Sequence, residues 1–128
     1  MRVFKTKFFA RFARKSGIDD IDQCDAVRRV EAGLIDADLG GGVIKQRIAR
    51  KGQGKSGGFR TIILFRMGHR AIFAYGFAKK DRPNLEPREL ATAKAMAKFL
   101  LGCSDDVIAS LVGSNELIEV RGDGKTLP

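Results

Sequence analysis

The residues that could do chemistry in this sequence are concentrated in one basic stretch, 39–80. The stretch contains ten Lys and Arg residues and no Asp or Glu. Its formal charge of +10 therefore exceeds the +9 of the whole 128-residue chain. Because a phosphate backbone is bound by clustered cations, this segregation favours a nucleic-acid partner. The alternative interpretation is a set of solvated strand and loop side chains that have no partner.

The residue types of this chain exclude several classes of nuclease. His69 is the only histidine, so no pair of histidines can act as general acid and base. The lack of carboxylates in 39–80 disfavours two-metal hydrolysis, because carboxylates would have to hold the ions. Cys24 and Cys103 are too few and too far apart for a metal centre, which favours buried thiols. We therefore expect neither a metal nor a cofactor.

RNA cleavage by Lys, Arg and the single tyrosine, Tyr75, remains feasible. RNA carries its own nucleophile, the 2′-hydroxyl, so a protein has to align it, stabilise charge on the phosphorane and help the 5′-oxygen to leave. Arginine supplies fixed charge, and a lysine crowded by other cations can exchange a proton. Cations are crowded at three places in the sequence: Lys45 with Arg47, Lys51 with Lys55, and Lys79 and Lys80 with Arg82.

The segment 50–58 is rich in glycine and contains Gly54-Lys55-Ser56, which looks like the end of a P-loop. A P-loop needs a glycine where this chain has Ala49, and a helix after the motif, whereas a strand is predicted there. The segment is instead interpreted as a flexible loop whose glycines let backbone amides and the two lysines approach phosphates. The alternative is a plain connection between strands.

Hydrophobic periodicity predicts two helices before the basic stretch. Thr6 is the expected N-cap of the first helix and Gly17 its end, and Asp19 is the expected N-cap of the second. The predicted apolar face of the first helix comprises Phe8, Phe9, Phe12 and Ala13. That of the second comprises Ile21, Cys24, Val27, Val30 and Leu34.

Alternating residues within the basic stretch predict three strands, 43–49, 59–66 and 70–78. The first would project Lys45 and Arg47 on one side. The other two would form a hairpin, and a two-residue turn at 68–69 would place Arg60 opposite Phe77 and Ile62 opposite Tyr75. A longer turn would change this register, and with it the face that each side chain occupies.

The C-terminal part predicts a helix from Pro87 to Gly102, a short helix after Ser104 and an edge strand over 116–120. The fold class is therefore α+β: a small antiparallel sheet with a mixed edge, an N-terminal helical hairpin and C-terminal helices packed on it. We expect a single domain over 1–121 and a flexible tail over 122–128. No membrane-spanning run or signal peptide is recognised, so we expect a cytoplasmic protein without a membrane partner.

Three segments together resemble the RelE/ParE superfamily of type II toxins, and in particular its HigB-like branch. They are Gly54-Lys55-Ser56-Gly57-Gly58-Phe59-Arg60-Thr61-Ile62-Ile63, Tyr75-Gly76-Phe77-Ala78-Lys79-Lys80-Asp81-Arg82 and Glu89-Leu90. The resemblance implies a RelE-like fold and a ribosome-dependent messenger RNA endonuclease that works without a metal. It also implies a cognate antitoxin, of the helix-turn-helix type, and contact with 16S ribosomal RNA.

The resemblance also implies roles for individual residues. Arg60 would bind the scissile phosphate, Lys45 or Arg47 would assist the 2′-hydroxyl, and Lys80 or Arg82 would serve the leaving group. The C-terminal tyrosine of the RelE pattern has no counterpart after Arg82. Its place would fall to Tyr75, or to base stacking on Phe59 or Phe77, while Lys51, Lys55 and Lys79 would bind RNA.

Two alternative functions compete with RNA cleavage. A ParE-like toxin would inhibit DNA gyrase through protein contacts, although such contacts do not require a long basic stretch. A non-catalytic nucleic-acid-binding regulatory protein would share the basic surface but not the chemistry.

Overall fold

The computed structural model describes residues 1–50 and 54–122, and within these the side chains at 50 and 54–57 are outside the description. The elements follow in the order β1 (Arg2–Thr6), α1 (Lys7–Ser16), α2 (Asp20–Glu31), β2 (Ala37–Gly40), β3 (Val43–Arg50), β4 (Gly54–Arg66), β5 (Arg70–Ala78), α3 (Pro87–Gly102), α4 (Asp105–Gly113) and β6 (Leu117–Val120). The predicted α+β class is confirmed.

The strands form one six-stranded sheet in the order β2-β3-β4-β5-β1-β6. β1 runs parallel to β5, and the other neighbouring pairs are antiparallel. Helices α1 and α2 cover one face of the sheet around Phe9 and Phe73, while α3 and α4 cover the other around Ile62 and Leu101. The sheet is therefore buried between two helical layers, and β6 is the predicted edge strand.

The predicted helix caps are confirmed. The Thr6 hydroxyl accepts a hydrogen bond from the Phe9 N–H at 3.2 Å, and Asp19 and Asp22 cap α2 reciprocally. Gly17 ends α1 in the left-handed conformation, at φ +72°. Local chain chemistry thus sets both helix starts.

The predicted apolar faces of α1 and α2 are partly wrong. Phe8 is 66% exposed, and the buried face of α1 begins at Phe9. Ile21 is exposed on α2, where Gln23 is buried in its place, and Leu34 lies beyond the end of the helix. A helix on a sheet buries a stripe only about 100° wide, so neighbouring apolar residues cannot all fit beneath it.

Two strand predictions need correction. β2 was not predicted, because four residues are too short a run to establish a strand pattern; it pairs with β3 and turns into it through Gly40–Gly42, all at positive φ. β4 begins at Gly54, not at Phe59, since pairing of Gly54 with Arg50 continues the ladder through glycines that have little strand preference of their own. The proposed loop over 50–58 is therefore too long.

At the end away from its turn, the β4–β5 hairpin has the predicted pairing, but it reaches this pairing with a longer turn than predicted. Its turn contains three residues, since Arg66 pairs with Arg70, and this shifts the register by one. A bulge at Ala74 shifts it back. Arg60 consequently pairs with Phe77 as predicted, and Ile62 with Tyr75.

The remaining predictions concern the histidine, the cysteines, membrane-spanning segments and the C-terminal tail. His69 is exposed in the hairpin turn, as predicted, and Cys24 and Cys103 are half-buried thiols. In the described part of the chain, no helix has both the length and the apolarity that crossing a membrane requires. The residues 123–128, which make up most of the predicted tail, lie outside the described residues.

Candidate active site

Two rows of side chains cross the sheet on the face that carries α3. The first row contains Arg47, Arg60 and Phe77, and the second contains Lys45, Ile62 and Tyr75. Ile62 and Phe77 belong to the core cluster beneath α3, which fixes the face of both rows. Directly opposite residues in antiparallel strands have Cβ atoms about 4.5–5.5 Å apart. The register therefore brings together cations that lie far apart in the sequence.

Arg60 is buried in the middle of the first row. It is 8% exposed, and its Nη1 has no hydrogen-bond partner among the residues that the structure describes. Burial lowers the pKa of its guanidinium, the positive charge of Arg47 lowers it further, and only Asp36 acts in the opposite direction. A buried cation with an unused donor is costly unless an anion pairs with it. The site thus favours binding of a phosphate at Arg60.

Asp36 connects the first row to the segment before β2. Its Oδ2 accepts a hydrogen bond from the Arg47 N–H at 2.6 Å and lies 3.7 Å from the Arg47 Nε. Sequence reasoning missed this carboxylate because it precedes the acid-free stretch. Asp36 orients Arg47 and reduces the local excess of positive charge.

Lys45 reaches the connection between β5 and α3. Its Nζ donates a hydrogen bond to Oδ1 of Asn84 at 2.8 Å. The Asn84 side chain was not anticipated from the sequence either. This contact attaches the side chain of Lys45 to the β5–α3 connection, to which Arg82 also belongs.

Arg82 is brought back toward the sheet by a turn after β5, in which its N–H donates to the Ala78 carbonyl at 3.4 Å. Its guanidinium carbon lies 4.8 Å from the centroid of the Phe77 ring, within the range of a cation–π interaction. Both Nη atoms donate to the carboxylate of Glu89 on α3, Nη2 to Oε2 at 2.9 Å. Arg82 is therefore fixed above the first row.

Tyr75 lies in the second row but is turned toward α3. Its hydroxyl donates to the sulfur of Met96 at 3.5 Å. Burial raises the pKa of the Tyr75 hydroxyl, and the negative charge of Glu89 raises it further. Both observations favour a packing role, since a phenol with a raised pKa is a poorer source of phenolate.

The other predicted site residues lie apart from the two rows. Phe59 is on the opposite face, where its ring meets the edge of Phe12 at 5.7 Å between centroids. Lys79 and Lys80 are exposed just beyond the end of β5. Lys51 lies outside the described residues, as does the side chain of Lys55.

The fold and this site define a small α+β protein with a cation-rich face on one side of a mixed sheet. The sequence matches, over residues 1–120, the family described as the RelE toxin of the RelE / RelB toxin-antitoxin system. The chain belongs to this family, which gives it the role of a toxin with a cognate antitoxin. No curated protein matches the chain. Assignment to the HigB-like branch stays a prediction.

Proposed function

We propose that this toxin is an endoribonuclease that cleaves messenger RNA on the ribosome without a metal. The observation that carries the proposal is the buried guanidinium of Arg60, which lies opposite Arg47 and whose Nη1 has no partner within the described residues. A protein that bound its target through ordinary surface contacts would have no need of two adjacent cations, one of them buried. Membership of the RelE family supports the same reading.

The proposed reaction uses the nucleophile of the RNA. The 2′-oxygen loses its proton and attacks the adjacent phosphorus, the bond to the 5′-oxygen breaks, and the 5′-oxygen takes a proton from solvent water. The products are a 2′,3′-cyclic phosphate and a 5′-hydroxyl. Arg60 binds the phosphate and stabilises the charge that accumulates on its oxygens. Lys45, in its neutral amine form, takes the proton of the 2′-hydroxyl and later releases it to solvent, a step that an always-protonated arginine could not perform.

Arg82 and Arg47 complete the proposed site. Arg82 lies over Phe77 and stabilises the negative charge that develops on the 5′-oxygen as it leaves. Arg47 adds a second cation beside Arg60 for the phosphate oxygens. The exposed Lys79 and Lys80 extend the basic surface that binds messenger RNA. We propose 16S ribosomal RNA as a second partner of this surface. No step is assigned to Tyr75.

Mapping the 5′-ends of cellular messenger RNA after expression of the toxin tests this proposal. Wild-type protein should produce new 5′-ends within coding regions, and purified protein should produce them on ribosome-bound RNA and not on free RNA. Arg60→Ala should produce none. Arg66→Ala is the matched control, because it removes an exposed cation from the same strand six residues away, or about 20 Å.

The other outcomes point elsewhere. Intact messenger RNA together with DNA damage would favour inhibition of gyrase, and intact messenger RNA with undiminished growth would leave only a binding function. Cleavage of free RNA at the same rate would remove the ribosome from the proposal but keep the chemistry. Equal activity of Arg60→Ala and Arg66→Ala would refute the role of Arg60.

A further inference from the structure

Glu89 links the candidate site to the start of α3. Its carboxylate accepts from both Nη atoms of Arg82, and its Oε1 also accepts from the Glu86 N–H at 2.9 Å, which caps α3. Its charge additionally raises the pKa of Tyr75. The hydrogen bond from Arg82 is the main reason that the pKa of Glu89 lies below its ordinary value, so the residue is a carboxylate near neutral pH.

We propose that Glu89 is a positioning residue for RNA cleavage and that it acts through Arg82; this inference rests on the function proposed above. The guanidinium of Arg82 is held at one end by the carboxylate and on one face by Phe77. The Arg82 guanidinium has five N–H groups, and Glu89 accepts a hydrogen bond from one N–H of each Nη. The three that remain, on Nε and on the two Nη atoms, point toward the sides of the group and can meet an RNA oxygen.

The charge of Glu89 makes this role distinguishable from RNA binding. A carboxylate next to a phosphate site weakens RNA binding by repulsion, so Glu89 does not contribute to affinity. Among the described cations of the site, only Arg82 is held by both oxygens of a carboxylate. Removal of the charge should therefore strengthen RNA binding and slow the chemical step.

Glu89→Gln tests the inference, and Glu119→Gln is its matched control. Gln retains an acceptor for the α3 cap, so the variant removes mainly the charge. Glu119 binds Arg2 through both oxygens, at 2.9 and 3.0 Å, on β6 at the edge of the sheet. The control thus removes an equivalent ion pair away from the site.

The measurements are the single-turnover cleavage rate with saturating ribosome-bound messenger RNA and the salt dependence of binding to single-stranded RNA. For Glu89→Gln we expect the rate to fall by about 10- to 100-fold, as for a misplaced catalytic group. We expect the slope of log K against log salt concentration to become more negative by about 0.7, as for one more cation available to a single strand. Glu119→Gln should change neither quantity.

A double-mutant cycle shows whether Glu89 acts through Arg82. In an Arg82→Ala background, Glu89→Gln should cause no further loss of rate. Arg82→Lys serves as a second variant, because it leaves Glu89 and the helix cap intact, keeps the cation and removes the paired donors. It should lose the rate to a similar extent, with an unchanged midpoint of thermal unfolding.

Several results would overturn the inference. They are a wild-type cleavage rate for Glu89→Gln, a rate loss of the same factor in the Arg82→Ala background, or weaker RNA binding by Glu89→Gln. In each case the wild-type protein still cleaves RNA, so the proposed function stands. If folded wild-type protein cleaves neither free nor ribosome-bound RNA, the proposed function fails and the inference fails with it.

Discussion

Arg60 lies directly opposite Arg47 on the neighbouring strand, with both side chains on the face of the sheet that carries α3. Burial and the charge of Arg47 both lower the pKa of Arg60, and Nη1 of Arg60 has no partner within the described residues. The placement of these two cations thus destabilises the folded protein. Such local conflicts concentrate at functional sites, where a ligand resolves them.

Replacement of Arg60 by methionine should increase the free energy of unfolding. The variant removes a buried donor that has no partner among the described residues, together with the repulsion from Arg47, and we expect a gain of about 1 kcal/mol. The gain should accompany complete loss of RNA cleavage. Urea denaturation at neutral pH measures the stability.

Arg70→Met is the control for this prediction. Arg70 is as buried as Arg60, but it donates to the carbonyls of Leu100 and Cys103 and to Asp105, at 2.8 to 2.9 Å. We expect this variant to lose about 3 kcal/mol, because it removes the donor of the buried Leu100 carbonyl and the half-buried Cys103 carbonyl. If Arg60→Met were destabilised to the same extent, Arg60 would have a structural role that its contacts do not reveal.

Tyr75→Phe should retain RNA cleavage. The hydroxyl of Tyr75 donates to the sulfur of Met96, and its pKa is raised by burial, so the phenol is not available as a base. The variant should lose only about 0.5 kcal/mol of stability, since sulfur is a weak acceptor. Quantitative 5′-end mapping compares RNA cleavage by the variant and by wild-type protein. Loss of cleavage at normal stability would show that the Tyr75 hydroxyl takes part in catalysis.

The sequence was sufficient to predict the fold class, the helix caps and the pairing of Arg60 with Phe77. The pairing nevertheless depended on two features that cancel, the three-residue turn and the bulge at Ala74. Neither could be predicted, because a bulge is set by how the two strands twist against their neighbours. Here the carbonyl of the bulged residue, Ala74, also accepts a hydrogen bond from the Thr6 hydroxyl at 2.9 Å. No local sequence pattern indicates this contact.

The carboxylates of the candidate site were beyond prediction for a different reason. Charge counting along the chain separates the basic residues from the acids that flank them, whereas folding brings Asp36 to Arg47 and Glu89 to Arg82. Their partners depend on how α3 and the segment before β2 pack on the sheet. The cationic residues could be predicted because strand alternation places Lys45, Arg47 and Arg60 on one face.

Lys45→Arg should slow cleavage more than it changes the affinity for RNA. Arginine retains the positive charge but stays protonated, so it cannot take the proton of the 2′-hydroxyl. We expect the single-turnover rate to fall by about 100-fold or more. Arg47→Lys, the matched control on the same strand, should lose much less of the rate; an unchanged rate for Lys45→Arg would show that another group is the base.

The stability of the protein should fall in acid in part through Glu119. The hydrogen bond from Arg2 is the main reason that the pKa of Glu119 lies below its ordinary value of 4.5. Below that value the unfolded chain binds a proton that the folded chain does not, so folding becomes less favourable as the pH decreases. This stabilisation is fully present above about pH 4.5 and is lost as the pH falls through the lower pKa of the folded state.

Glu119→Gln should therefore be less stable than wild-type protein at pH 7 and equally stable at pH 2, as measured by urea denaturation at each pH. Glu116→Gln is the control, since the Glu116–Lys7 ion pair is exposed on both sides and contributes little. A difference between Glu119→Gln and wild type that stayed constant from pH 7 to pH 2 would mean that packing of the side chain, and not its charge, stabilises β6 against β1.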